Sequence, residues 1–107
     1  MENILLKEPV DISARAAEEI KLIMQSDDIP DNYCLRIGVD EGGCGSGGFA
    51  IGFDAKKESD LHYIKQGIPV VVDKKHLMHV VGKLINYSEE GEKWGFVFDD
   101  KAVQSNV

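Results

Sequence analysis

The spacing of hydrophobic residues predicts a helix near the start of the chain. Between Ser13 and the breaker-rich residues 26–32, apolar side chains recur at steps of three and four, which is typical of a helix with one buried face. The Ser13 hydroxyl can cap its first turn, and Ile12 can pack against that turn. We expect the buried face to comprise Ala16, Ala17, Ile20, Ile23 and Met24.

Beyond residue 32 the hydrophobic period shortens to two, which predicts strands. Residues 33–39 alternate apolar and small or polar positions, as in a strand with one packed face. Shorter strands are predicted over 49–53, 61–64, 68–72, 84–87 and 94–98, with Pro69 at a strand start or a sheet edge. Asp73 can cap a short helix over 74–80 that Gly82 ends. Residues 101–107 are expected to be frayed.

This order of elements predicts a mainly β, α+β fold. The chain lacks the strand–helix–strand alternation of a doubly wound parallel sheet. Short antiparallel or mixed strands forming a sandwich or flattened barrel, with one N-terminal helix and one short helix at its side, fit best. A length of 107 residues suits one domain over 1–107.

Charge and cysteine content narrow the class of protein. Twelve Lys and Arg against nineteen Asp and Glu give a net charge of −7, which disfavours binding to nucleic acids or anionic membranes. No apolar run approaches the roughly 20 residues of a membrane span, and residues 1–11 do not have the pattern of a secretory signal. Two cysteines are too few for a disulfide scaffold, so we expect a cytoplasmic protein with reduced thiols.

The most unusual stretch is residues 41–48, here called the glycine segment, with five glycines in eight positions around Cys44. Free backbone N–H groups on such a loop can stabilise a thiolate, the form that binds soft metals or attacks electrophiles. An ordinary glycine-rich turn with an incidental cysteine fits the residue types equally well. The segment lacks the Lys-Ser/Thr ending of a phosphate-binding loop.

The other candidate ligands have weaker support. Cys34 stands inside a predicted strand, where a small, partly buried thiol is the favoured interpretation. His76 and His79 are three residues apart on the short helix and share a face, a spacing that metal sites use. No third ligand is near them in sequence, so a solvated or partly packed face is preferred, as it is for His62.

Several separated motifs, taken together and in order, resemble the HesB-like, or A-type iron–sulfur carrier, family from about residue 10 to 100. They are Ile12-Ser13-x-x-Ala16-Ala17-x-x-Ile20, Leu35-Arg36-Ile37-Gly38-Val39, Gly42-Gly43-Cys44 with Ser46-Gly47 and Phe49, Gly67-Ile68-Pro69-Val70-Val71-Val72-Asp73, Gly82 with Ile85-Asn86-Tyr87, and Gly95-Phe96-Val97-Phe98.

The resemblance implies a β-sandwich or pseudo-barrel that binds iron or an iron–sulfur cluster, usually between subunits, and passes it to apo-proteins. It places Cys44 on the family's first ligand cysteine and Cys34 on no ligand position. The family's Cys-Gly-Cys motif would follow the strand at 95–98, but residues 99–107 contain no cysteine. The glycine segment is also longer than the usual Cys-Ser-Gly-Phe.

The functional expectation is an accessory protein of iron–sulfur cluster biosynthesis, not an enzyme, that binds iron or a cluster transiently through Cys44. Its expected partners are assembly proteins or apo-protein clients, and a homodimer would supply two Cys44 thiols. The alternative is a metal-free protein-interaction module on the same fold. A thiol enzyme using Cys44 is a third, weaker hypothesis.

Overall fold

The computed structural model describes residues 7–39, 48–89 and 95–100. Within them the chain forms seven strands, two α-helices and one 3₁₀ turn. The helices are α1 (Ala14–Met24) and α2 (Leu77–Val80), and the 3₁₀ turn is Lys74–His76. The strands are β1 (Val10–Ile12), β2 (Tyr33–Val39), β3 (Phe49–Ala55), β4 (Asp60–Lys65), β5 (Ile68–Asp73), β6 (Lys83–Ser88) and β7 (Gly95–Asp100).

The strands form two mixed sheets, which confirms the predicted fold class. The larger sheet has the order β3-β2-β5-β4, with β2 antiparallel to β3 and parallel to β5. The smaller has the order β1-β6-β7, with β1 parallel to β6. Buried aliphatic side chains from both sheets and from α1 form one hydrophobic core: among the described residues it includes Val10, Ile12, Ala16, Ile20, Leu35, Ile37, Val70, Val72, Val80 and Ile85.

Helix α1 begins where its cap was predicted. The Ser13 hydroxyl oxygen accepts a hydrogen bond from the Ala16 N–H at 3.1 Å, and the hydroxyl donates to Asn86 Oδ1 at 3.0 Å. The buried face is shorter than expected, because Ile23 is 38% exposed and Met24 is only partly buried. The helix packs on β5 and β6, and its buried residues are Ala16, Ala17 and Ile20.

Strand β1 was not predicted, because three residues are too few to show a period. Ile12, expected only to pack on the first turn of α1, is also a fully buried strand residue paired with Ile85. The Tyr63 hydroxyl on β4 accepts from the Val10 N–H at 3.1 Å and donates to the Val10 carbonyl at 2.8 Å. These bonds join the two sheets, and burial raises the pKa of Tyr63.

The remaining predicted elements agree with the structure within a few residues at each end. Asp73 caps the 3₁₀ turn by accepting from the Lys75 N–H at 3.1 Å, and Gly82 takes a positive φ of 86° after α2. Pro69 lies at the second residue of β5, which is an interior strand. The predicted fraying of 101–107 and the start of the last strand at residue 94 lie outside the described residues.

An ion pair lies on the face of the larger sheet that points away from the core. Arg36 of β2 donates to both carboxylate oxygens of Asp60, at 2.8 and 2.7 Å, and the Asp60 side chain is fully buried. The Lys57 N–H adds a third hydrogen bond to that carboxylate at 2.7 Å. These donors, the Arg36 guanidinium above all, lower the pKa of Asp60. The pair holds the turn before β4 against β2.

We expect Asp60→Asn to destabilise the fold by about 2 kcal/mol, since it removes a charge-assisted, bidentate acceptor and leaves the guanidinium poorly paired. Urea unfolding at pH 7 measures this. Asp54→Asn is the matched control, because Asp54 also pairs with Arg36 but is 38% exposed, and it should cost much less.

The same pair sets a pH dependence. The Asp60 carboxylate has a lowered pKa in the folded state, so its contribution is complete above its ordinary pKa of about 3.9 and disappears as the pH falls through the folded-state value. Unfolding free energies measured from pH 5 to pH 2 should therefore fall less steeply for Asp60→Asn than for the wild type. Equal slopes would show that Asp60 does not contribute to acid unfolding.

Candidate functional site

The two ends of the glycine segment are held side by side. Strand β2 ends at Val39 and β3 begins at Phe49, and these two residues are a cross-strand pair. Paired Cα atoms in an antiparallel ladder are about 4.5–5.5 Å apart. Residues 40–47, and Cys44 with them, lie outside the described residues. The structure therefore establishes the hairpin that carries the segment, and Gly48 with its φ of 78° ends it.

A trough of about 380 Å³ lies on the outward face of the larger sheet next to this hairpin end. The pairs Gly38–Ala50 and Arg36–Gly52 place three residues with little or no side chain on one face, since alternate strand residues share a face. Charged side chains line the same trough: Arg36, Asp54, Lys57, Asp73 and Lys75. Its size is that of a small-molecule site.

His76 lies at the end of this trough that is nearest the glycine segment. The imidazole is partly buried, and its Nδ1 accepts a hydrogen bond from the Val39 N–H at 3.4 Å. A Cβ on residue 38 would lie 2.7 Å from the same Nδ1, so only glycine leaves room for the ring there. Sequence reasoning preferred a solvated or partly packed face for His76. The partial packing is confirmed, but its partner could not be predicted.

The other two histidines have different surroundings. His79 on α2 and His62 on β4 are both exposed, and neither lines the trough. Over residues 7–39, 48–89 and 95–100, no group of three or more His, Cys, Asp and Glu side chains could hold a metal ion. The structure thus does not bring His76 and His79 together with a third ligand in the part of the chain that it describes.

Cys34 is a structural thiol. Its side chain is on the outward face of β2, yet it is only 7% exposed. Burial is the main reason that the pKa of this thiol is raised, and a raised pKa disfavours the reactive thiolate. The predicted small, partly buried thiol is confirmed as a structural residue, and its burial is more complete than expected.

An apolar groove of about 340 Å³ lies where the edges of the two sheets meet. The Phe49 and Phe98 rings stack with their centroids 4.9 Å apart, joining β3 to β7. Lys83 places its ammonium 5.2 Å from the Phe49 ring centroid. The first residue of β3, to which the glycine segment leads, is therefore anchored to the second sheet as well as to β2.

Residues 9–107 match the protein family described as iron-sulphur cluster biosynthesis. The chain belongs to that family. Its role is thus in iron–sulfur cluster biosynthesis, and the prediction that it is not an enzyme is confirmed by this membership.

Individual relatives agree with the family. The chain is 36% identical over 96 residues to the uncharacterized protein SufA of Bacillus subtilis, covering 89% of this chain and 79% of the relative. It is 34% identical over 100 residues to the iron–sulfur cluster insertion protein ErpA of Citrobacter koseri, covering 91% of this chain and 85% of that protein.

Two crystal structures share the fold. Escherichia coli SufA, described as involved in biosynthesis of iron–sulfur clusters, superimposes with a TM-score of 0.66 at 18% identity, over 94% of this chain and 95% of that one. IscA with the [2Fe-2S] cluster superimposes with a TM-score of 0.56 at 17% identity, over 85% of this chain and 84% of that chain. Among the described residues of the present chain, no helix is long and apolar enough to cross a membrane.

The buried position of Cys34 predicts that this thiol does not react in the native protein. In Cys44→Ala, where Cys34 is the remaining cysteine, a thiol reagent such as DTNB should detect almost no free thiol until denaturant is added, and then one per chain. Rapid reaction of the folded variant would show that Cys34 is accessible and would reopen it as a ligand.

Proposed function

We propose that this protein carries iron or an iron–sulfur cluster as transient cargo, held by Cys44, and delivers it to apo-proteins as a homodimer. The observation that carries the proposal is the position of Cys44. It stands midway in sequence between Val39 and Phe49, the paired ends of the β2–β3 hairpin, in a chain of the iron–sulfur cluster biosynthesis family.

The hairpin gives this cysteine a suitable support. Both strands leading to the segment are anchored, β2 by pairing with β3 and β5, and Phe49 by its stack on Phe98. A fixed base with a glycine-rich connection lets backbone N–H groups approach a thiolate or a sulfide closely. The name of the related insertion protein ErpA fits delivery of a cluster in place of its permanent retention.

The number of thiols sets how firmly cargo is held. A four-thiolate cluster site requires four soft ligands, whereas Cys44 of each subunit supplies two in a dimer. Residues 99–107 add no cysteine, and Cys34 is buried. Water, carboxylate, histidine or a small thiol such as glutathione would occupy the remaining coordination positions of the iron. Cargo bound in this way is labile, which suits transfer.

The partners of such a carrier are assembly proteins that load it and apo-proteins that accept its cargo. A net charge of −7 favours partners with basic surfaces, because opposite charge accelerates encounter. Complex formation should therefore weaken as ionic strength rises.

Anaerobic reconstitution with iron and sulfide tests the proposal. Wild type should bind both iron and sulfide and elute as a dimer in size-exclusion chromatography, with a sulfide-to-iron absorbance band in the visible region. Cys44→Ala should lose more than nine-tenths of the bound iron, because the other cysteine of the sequence, Cys34, is buried and cannot replace it. Cys34→Ala is the matched control and should bind as the wild type does.

Each other outcome has a definite meaning. Equal, negligible binding in wild type and Cys44→Ala would contradict a carrier and favour the metal-free interaction module, whose partner would then be sought. Strong binding that survives Cys44→Ala would contradict the assignment of the ligand.

A further inference from the structure

The outer edge of β3 carries backbone groups that no described residue satisfies. β3 is an edge strand, with β2 on its other side. The Ala55 N–H donates to Asp54 Oδ1 at 2.8 Å and the Val39 N–H to a histidine, so the end pairs of the β2–β3 ladder are not bonded across it. Bonded and non-bonded pairs alternate in such a ladder. The N–H and C=O groups of Ile51 and Phe53 therefore point outward, without a partner in the described parts of the chain.

β3 also lacks the features that usually protect a sheet edge. Natural edges avoid pairing by shortness, proline, lysine, charge or a bulge. β3 has seven residues in unbroken register with β2 and no proline or lysine, and its one charged residue, Asp54, lies 3.2 Å from Arg36. The opposite edge strand, β4, carries Asp60 and Lys65, and the edge strand β1 has three residues. Among these edges, β3 is thus the best suited to accept another strand.

The apolar groove beside this edge can receive the side chains of an added strand. Phe49, Ile51, Phe96 and Phe98 line it, and all four are half-buried and packed against the core. Alternate residues of a strand added to β3 would point to this side of the sheet. Those residues must therefore be apolar.

Charge indicates what kind of chain fits. The strands that border the groove, β3 and β7, contain three aspartates and no basic residue. Lys83, which lies over Phe49, is already paired with Asp100 at 2.5 Å. In a chain of net charge −7, a segment with lysine or arginine is attracted to this edge.

A second copy of the chain fits less well. Antiparallel pairing of two β3 strands about Gly52 would leave the two Phe49 residues about 20 Å apart, at opposite ends of the pair. The proposed homodimer, by contrast, brings Cys44 of both subunits to shared cargo. A different protein is therefore the better occupant.

We propose that the outer edge of β3 docks an extended, basic segment of a partner protein. The segment pairs with Ile51 and Phe53 as an added strand and places alternate apolar side chains in the groove. The docking surface follows from the described strands alone. That its partner is an assembly protein or an apo-protein client rests on the proposed function.

A short, acetylated and amidated peptide that alternates valine with threonine or lysine is the probe. In ¹H–¹⁵N spectra of the labelled protein, titration should shift the Ile51 and Phe53 signals and leave those of α1 unchanged. At saturation, hydrogen exchange of these two amides should slow by at least about tenfold, because each gains a hydrogen bond. Absence of both effects would contradict the proposal.

Two methylated peptides are the matched controls. The peptide residue opposite Ile51 is a valine that shares its face, and the two exchange both backbone bonds. Methyl groups on the valine nitrogens should therefore weaken binding by at least about tenfold, whereas methyl groups on the threonine and lysine nitrogens, at the solvent edge, should not. Equal affinity of the two methylated peptides would show that the peptide does not bind as a strand.

The free protein and Cys44→Ala distinguish the remaining outcomes. If the Ile51 and Phe53 amides are already protected without peptide, the edge is covered by a second copy when protection rises with protein concentration, or by the chain itself when it does not, and either result overturns the proposal. Cys44→Ala should bind the peptide as the wild type does. Loss of iron binding without peptide binding in any variant would refute the docking surface alone, and peptide binding by a protein that holds no iron would refute the carrier alone.

Discussion

The double pairing of β2 is the constraint on which the rest of this structure depends. β2 is hydrogen-bonded to β3 on one side and to β5 on the other, while Leu35 and Ile37 reach the core and Arg36 binds the buried Asp60 on the opposite face. A strand fixed on both edges and both faces has a single register. Its end at Val39, and therefore the base of the glycine segment, is fixed with it.

The proposed cargo ligand, Cys44, belongs to the connection that follows the end of this strand. Binding residues are often carried on connections that a rigid scaffold positions. Here the scaffold contributes the Val39–Phe49 pair, the stack of Phe49 on Phe98 and the imidazole seated on Gly38. In the proposed function, Cys44 of the glycine segment contributes the thiol. A labile carrier requires a rigid scaffold and a separate segment for the ligand, since the ligand must release cargo while the fold stays intact.

Much of the fold could be predicted from the sequence because it follows from local chemistry. Ser13 caps a helix, alternation marks β2, and Gly82 takes the positive φ that ends a short helix. The contacts around the candidate site could not be predicted in the same way. Arg36 and Asp60 are 24 residues apart, and Val39 and His76 are 37 apart, so no local pattern predicts either contact. Ile23 fits the helical period and is nevertheless 38% exposed, so the period alone overestimates the buried face of α1.

The central claim is that cargo binds at the end of the β2–β3 hairpin. Paramagnetic line broadening in an ¹H–¹⁵N spectrum of the iron-loaded protein tests it most directly, because broadening falls steeply with distance from the metal. Our account predicts that the amide signals of Val39, Phe49 and His76 broaden first and those of α1 residues such as Lys21 remain sharp. Broadening centred on any other part of the chain, with Val39 and Phe49 unaffected, would contradict it.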